Sequence, residues 1–168
     1  MKRMNEARYQ WVSNSIRRRK YGAFFVNALD KAITLLVFVS YPLFIIYLIL
    51  FSRNLLWKSI LIPAIGFLAV SMFRYIVSEK RPYEIMNFEP ILHKNSTGKS
   101  FPSRHVFSIF MISMTYFLID CGLGILVLVL GFILGFLRVV GGVHYIKDVV
   151  VAALLAVGWG FLGYFVLI

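Results

Sequence analysis

Apolar residues in this chain fall in long unbroken runs and not in alternation. Five runs stand out, at about Ala32–Phe51, Ser59–Ile76, Val106–Ile119, Gly122–Leu137 and Val149–Ile168. About 20 apolar residues at a 1.5 Å helical rise cross a 30 Å hydrocarbon core, so each run predicts a membrane helix. The first extends back as far as Ala23, and Pro63 predicts a kink in the second. The third is short for a full span. Its first turn is therefore expected below the headgroup level, in a pocket open to one face. A membrane β-barrel would alternate apolar and polar positions over short segments, and these runs do not. The reading is all-α: an integral membrane helical bundle of about five transmembrane helices, forming one domain over residues 1–168.

The polar stretches sort onto two faces. Residues 52–58 and 120–122 are short connectors on one side. The long loop 77–105 and the link 138–148 lie on the other, together with residues 1–21. That N-terminal segment carries Lys2, Arg3, Arg8, Arg17, Arg18, Arg19 and Lys20, interleaved with Trp11, Val12 and Ile16. It reads either as an amphipathic helix lying on anionic lipid or as a basic tail. Its basic start is not followed by an apolar core, so no cleaved signal peptide is expected. No internal repeat or low-complexity tract breaks the pattern.

Composition agrees with the runs. The 168 residues are 60% hydrophobic and 15% charged, and a soluble domain of this size could not bury that much apolar surface. Eighteen Lys and Arg stand against seven Asp and Glu. In a soluble chain this excess would suggest nucleic acid, whereas here anionic headgroups and phosphates are the natural partners. The single Cys121 excludes an intramolecular disulfide and a cysteine zinc site. Among the acids, Glu6, Asp30 and Asp120 are expected away from the site, and Glu79, Glu84 and Glu89 spread along the loop. No paired carboxylate cradle for Mg²⁺ appears, and Ca²⁺ or zinc is no better supported. No metal or cofactor is expected.

Three stretches carry candidate chemistry. In "FRYIVSEKRPYE", Arg74 and Arg81 are two helical turns apart, and Pro82 ends the helix. A cation inside an apolar stretch, as Arg74 is, usually has an anionic partner, although it can also snorkel to the interface. In "FPSRH", Pro102 and Ser103 are helix-start residues, so the third segment would point free N–H groups at an anion. Arg104 adds a charge and His105 a proton, although an ordinary N-cap beside a surface histidine has the same letters. In "RVVGGVHYIKD", His144 and Asp148 are one helical turn apart. A carboxylate on one ring nitrogen fixes the tautomer and leaves the other to attack. Arg138 joins them, and Gly141 and Gly142 let the backbone approach a ligand closely. A His–Asp pair that merely joins two helix ends is the plainer alternative. Together the stretches supply arginine forks for phosphate oxygens and two histidines for attack and protonation. That is the equipment for phosphoryl transfer through a phosphohistidine.

In order and spacing these motifs resemble the type 2 phosphatidic acid phosphatase (PAP2) superfamily. That family has lysine six residues before Arg-Pro, then Pro-Ser-Gly-His, then Ser-Arg, five residues, His, three residues and Asp. Here Arg74 precedes Arg81-Pro82, followed by Pro102-Ser103-Arg104-His105, then Leu137-Arg138, His144 and Asp148. The resemblance implies a metal-independent membrane phosphatase, with His144 as nucleophile, Asp148 as its orienting partner and His105 as general acid. It implies that Arg74, Arg81, Ser103 and Arg138 bind phosphate, with Arg104 beside them. Three positions depart. Arg74 replaces lysine, Arg104 replaces glycine and could favour a diphosphate, and Leu137 replaces serine. The family's core has six helices against the five spans read here, and residues 1–21 are read as standing in for the first. Short bacterial members acting on undecaprenyl diphosphate are similar in size.

The implied substrate is a membrane phospholipid or polyprenyl phosphate: undecaprenyl diphosphate, phosphatidylglycerol phosphate or phosphatidate. A lipid phosphotransferase using the same phosphohistidine and a non-catalytic phospholipid-binding protein are the competing readings. The resemblance implies a multi-pass cell-membrane protein with an extracytoplasmic site. Charge argues for a cytoplasmic one. All lysines and arginines except Lys31, Arg53 and Lys58 are assigned to the site's side, and the excess survives removal of the candidate arginines.

Overall fold

The computed structural model describes residues 6–92 and 97–166. Among the described residues seven helices follow in order: α1 Glu6–Arg17, α2 Gly22–Phe51, α3 Arg53–Val77, α4 Pro82–Ile85, α5 Arg104–Tyr116, α6 Cys121–Val140 and α7 Ile146–Phe161. A π-helical turn, Leu162–Val166, continues α7. Among the described residues four helical stretches are long and apolar enough to cross a membrane: Gly22–Phe51, Arg53–Ile85, Cys121–Val140 and Ile146–Val166. They carry a broad apolar surface outward, including Leu35, Leu36, Leu68, Phe132 and Leu154. In water such a surface would be a liability, and in a bilayer it is the lipid-facing side. The protein is a multi-pass membrane protein.

The fifth predicted span is α5, and it differs in kind. It has 13 residues, about 20 Å of helix, well short of the hydrocarbon core. Every residue from Val106 to Tyr116 is buried. Helices α2, α3, α6 and α7 all pack against it. The helix is apolar because it is the axis of the bundle, not because it meets lipid. Small residues bring the neighbours close. A Cβ at Gly131 of α6 would stand 2.8 Å from the Phe110 ring, and one at Gly160 of α7 would stand 2.8 Å from Met114. Close approach of this sort replaces the hydrophobic drive that is missing between helices in lipid.

Several boundaries move. Residues 52–58 are not a connector: only Ser52 separates α2 from α3, because Arg53, Asn54 and Lys58 form the first turns of α3. Arg74 and Arg81 do not share a helix. Helix α3 ends at Val77, where Ser78 turns into the left-handed region at φ 41°, and its N–H closes on the Arg74 carbonyl. Arg81 is extended, as a residue before proline prefers, and stands at the N-cap of α4. Helix α3 runs on through Pro63, and α2 through Pro42.

Of the N-terminal segment, Lys2 and Arg3 lie outside the described residues, and α1 is a helix and not a tail. Its inner face is docked on protein. Tyr9 is 1% exposed and stacks on Phe88 at 5.0 Å. Ser13 Oγ donates to the Glu89 carbonyl at 2.9 Å, and Arg17 pairs with Glu89 at 3.1 Å. Trp11 faces outward, 71% exposed, where an interfacial indole belongs.

Candidate active site

The three motifs meet where the long loop crosses the starts of α5 and α7. The Ser103 N–H donates to the Asp148 carbonyl at 3.0 Å, which joins the two helix starts. Asp148 is the third residue of α7 and is fully buried. Its Oδ2 accepts from the Tyr145 N–H at 3.0 Å, lies 3.3 Å from His144 Nδ1, and accepts from Ser100 Oγ at 2.5 Å. His144 itself precedes the helix, one residue before the Tyr145 N-cap. The pairing read as a helical i, i+4 contact is therefore a helix-start contact, in which the carboxylate also closes the first turn.

Two turns aim His144. Both the Val143 and His144 N–H groups reach back to the Arg138 carbonyl, at 3.2 and 3.3 Å. Gly142 sits at φ 79°, a conformation that side chains rarely adopt. The closeness expected of Gly141 and Gly142 is spent on protein. Cβ atoms there would meet Leu92 at 2.5 Å and Phe88 at 2.6 Å. From the far side, the Tyr9 hydroxyl donates to the His144 carbonyl at 3.3 Å. Burial, and then the neighbouring Tyr145 and Asp148, push the Tyr9 phenol well above its ordinary pKa range, so it stays a donor.

Arg74 and Arg81 are buried and act first on the loop. Arg74 donates to the carbonyls of Lys99, Ser100 and Pro102. Arg81 donates to Gly98 at 3.2 Å and to Val143 at 3.0 Å. Glu84 closes the same loop by accepting from the N–H groups of Arg81, at 2.9 Å, and Gly98, at 2.6 Å. Lys147 and Glu79 pair across the rim. Arg74 and Arg81 feel each other, Arg104 and Asp148 electrostatically. So many cations in one buried place call for an anion.

Ser103 is the N-cap residue of α5, but its hydroxyl makes no capping bond. Among the described residues, its buried Oγ and Asp148 Oδ1 have no hydrogen-bond partner. Arg104 and His105 open α5 and are less buried. They line a small pocket with Phe38, Phe67 and Ser108. The same Phe38, Phe67 and Ser108 border an apolar cavity of about 300 Å³ between α2, α3 and α5, which reaches down to Met111 and Ile112.

Arg138 is also buried here, and its partner corrects the expectation for Asp30. That acid was placed away from the site, yet Asp30 Oδ1 lies 2.7 Å from Arg138 Nε. Thr34 Oγ1 accepts from Arg138 Nη2 at 3.5 Å. Two residues were missed on the sequence. For Asp30 there was a signal: a lone acid inside an apolar run. For Ser100 there was none, since one serine in a polar loop looks like any other.

Comparisons with known proteins bear on the family and the fold. A family model described as the PAP2 superfamily matches residues 55–167. The fold is similar to the crystal structure of LpxE from Aquifex aeolicus, with a TM-score of 0.74 and 21% identity, over 95% of this chain and 93% of that one. It is also similar to a structure described as the first transmembrane PAP2 type phosphatidylglycerolphosphate phosphatase from Bacillus subtilis. There the TM-score is 0.65 and the identity 22%, over 94% of this chain and 83% of that one. A search of curated protein sequences found no match.

Proposed function

The chain belongs to the PAP2 superfamily of membrane phosphatases, and on that premise we propose that it hydrolyses a lipid phosphate or diphosphate ester through a phosphohistidine on His144. Asp148 holds Nδ1, and Nε2 attacks phosphorus. The bond from phosphorus to the leaving oxygen breaks as the bond to nitrogen forms, and His105 gives that oxygen its proton. Water then attacks phosphorus with His105 as base, the P–N bond breaks, and inorganic phosphate leaves. Arg74, Arg81, Arg104 and Arg138, with the Ser103 hydroxyl and the first N–H groups of α5, hold the equatorial oxygens.

The observation that carries the reading is the buried His144–Asp148 pair beside the unmet Ser103 hydroxyl. A headgroup binder needs the arginines but has no use for a carboxylate-oriented imidazole. The substrate is read as a lipid because the apolar cavity shares its walls with the Arg104–His105 pocket. A hydrocarbon chain there would leave its phosphate at the start of α5. Phosphatidylglycerol phosphate, undecaprenyl diphosphate and phosphatidate all fit that description. Arg104, where the family has glycine, favours a substrate with a second phosphate. Anionic lipids are the partners read for the basic N-terminal segment, and the site is read as extracytoplasmic.

The test is phosphate release by purified protein in detergent with EDTA, offering the three lipids side by side. Release is expected to persist with EDTA and to disappear in His144→Ala. His105→Ala should turn over slowly while still binding vanadate, and lost binding with intact turnover would refute its role as acid. Absence of release from every lipid refutes the phosphatase reading. An added alcohol acceptor then separates a transferase from a binding protein.

A further inference from the structure

One charged group near the site lies outside every motif and outside the residues that match the family. Asp30 sits in the first third of α2, in the sequence "VNALDKAITLL". It is 7% exposed, and Arg138 is 4% exposed. A carboxylate in an apolar helix is expensive unless a cation meets it. Here the cation is the arginine whose backbone carbonyl also receives the N–H groups of Val143 and His144. Thr34 stands one turn further along α2, on the same face, and adds a second acceptor to the same guanidinium.

Geometry makes this more than a staple between helices. A guanidinium is a flat fork. Asp30 Oδ1 pairs with Nε at 2.7 Å as an ion pair and the Thr34 hydroxyl accepts from Nη2, so both contacts from α2 fall on one edge of the group. The Nη1 end is then the one turned from α2. Arg138 also feels Arg81 as a like charge, and without Asp30 only the long bond to the Thr34 hydroxyl would hold it to α2 against that repulsion.

We propose that Asp30 is a positioning residue for phosphoryl transfer, fixing the Arg138 guanidinium so that its remaining donors meet the transferring phosphate. This rests on the reading that Arg138 binds that phosphate. The group would be set before substrate arrives, as preorganised donors must be to favour the transition state over the ground state.

Charge and geometry make opposite demands, and this separates the proposal from a purely structural role. Asp30→Asn removes a negative charge, which by Coulomb's law alone should leave anion binding equal or tighter. Loss of orientation should lower kcat. We therefore expect kcat in Asp30→Asn to fall by about tenfold or more, with vanadate inhibition unweakened, on whichever of the three lipids the wild type hydrolyses fastest. In an Arg138→Ala background, Asp30→Asn should change kcat by less than about twofold, because the residue it acts through is gone. Asp30→Glu keeps the charge but shifts the carboxylate by one methylene. It should lose less, and it carries the test if Asp30→Asn does not fold.

A kcat within about twofold of wild type in the folded Asp30 variant, even with a lower melting temperature, overturns the proposal. So does an equal loss in the Arg138→Ala background. If Asp30→Asn fails while Arg138→Ala loses activity as expected, only the role of Asp30 falls. If Arg138→Ala is fully active, or the wild type releases no phosphate, the underlying reading falls and takes this proposal with it.

Discussion

Ser100→Ala is the sharpest test of how the site is held together. Ser100 is fully buried, and its hydroxyl donates to Asp148 Oδ2 at 2.5 Å while standing 3.5 Å from His144 Nδ1. Removing it leaves Asp148 Oδ2 with the Tyr145 N–H and the imidazole. A hydrogen bond to a charged group contributes about 1.5–3 kcal/mol, and deleting one oxygen leaves little cavity, so the stability loss should be about 2 kcal/mol. The catalytic loss follows from the same bond. With one of three anchors gone, the carboxylate samples orientations in which it no longer fixes His144. A loss of about 1.4 kcal/mol of orientation is about tenfold in kcat. Asp148→Asn, which presents the wrong partner to Nδ1, should lose far more, about 10³- to 10⁴-fold. The assay is steady-state phosphate release beside thermal unfolding in the same detergent. Wild-type kcat in Ser100→Ala would refute the idea that this serine orients the pair. A loss as large as that of Asp148→Asn would mean that Ser100 meets substrate directly.

Three further outcomes are expected. Arg74→Lys restores the family's residue but cannot serve the carbonyls of Lys99, Ser100 and Pro102 together. It should lower the melting temperature by several degrees and raise proteolysis within 97–102, and an unchanged loop would show that the three bonds are dispensable. Tyr9→Phe keeps the stack on Phe88 and loses only the long bond to the His144 carbonyl, so kcat should change less than about threefold. Tyr9→Ala loses both and should cost about 3–5 kcal/mol of stability, read by thermal unfolding. Cys121 is exposed and begins α6, at the opposite end from Arg138. If the site is extracytoplasmic, a membrane-impermeant maleimide should label Cys121 only after cells are permeabilised. Labelling of intact cells would put the site in the cytoplasm.

The apolar runs gave the bundle, and the motif spacing gave the residues that gather in it. Arg74, Arg81, Ser103, His144 and Asp148 are tied into one region by contacts spanning tens of residues. Short-range rules were less dependable where tertiary structure intervened. The seven-residue spacing of Arg74 and Arg81 suggested one helical face, but α3 stops at Val77, and both arginines serve loop carbonyls instead. Hydropathy marked α5 as a span when it is the buried axis, because periodicity cannot tell lipid from protein as an apolar surround. Asp30 reads on the sequence as lying away from the site, inside the first apolar run. Its real partner lies 108 positions away, and no local pattern encodes that. Ser100 acts through its hydroxyl bond to Asp148 and Glu84 through two bonds from loop N–H groups, and neither leaves a trace in composition or period.

The contact between Tyr9 and the His144 carbonyl joins residues 135 positions apart. It also sets an order of events during biosynthesis. Helix α1 leaves the ribosome first, and at about 5–20 residues per second its partner follows on the order of ten seconds later. In that interval the bundle axis and three of its four walls must enter the membrane, while α1 rests with Trp11 toward the interface. Only when α7 arrives can Asp148 meet Ser100 and the His144 turn close against Tyr9. The candidate site thus closes only after α7 has emerged, and a chain stalled before α7 lacks it.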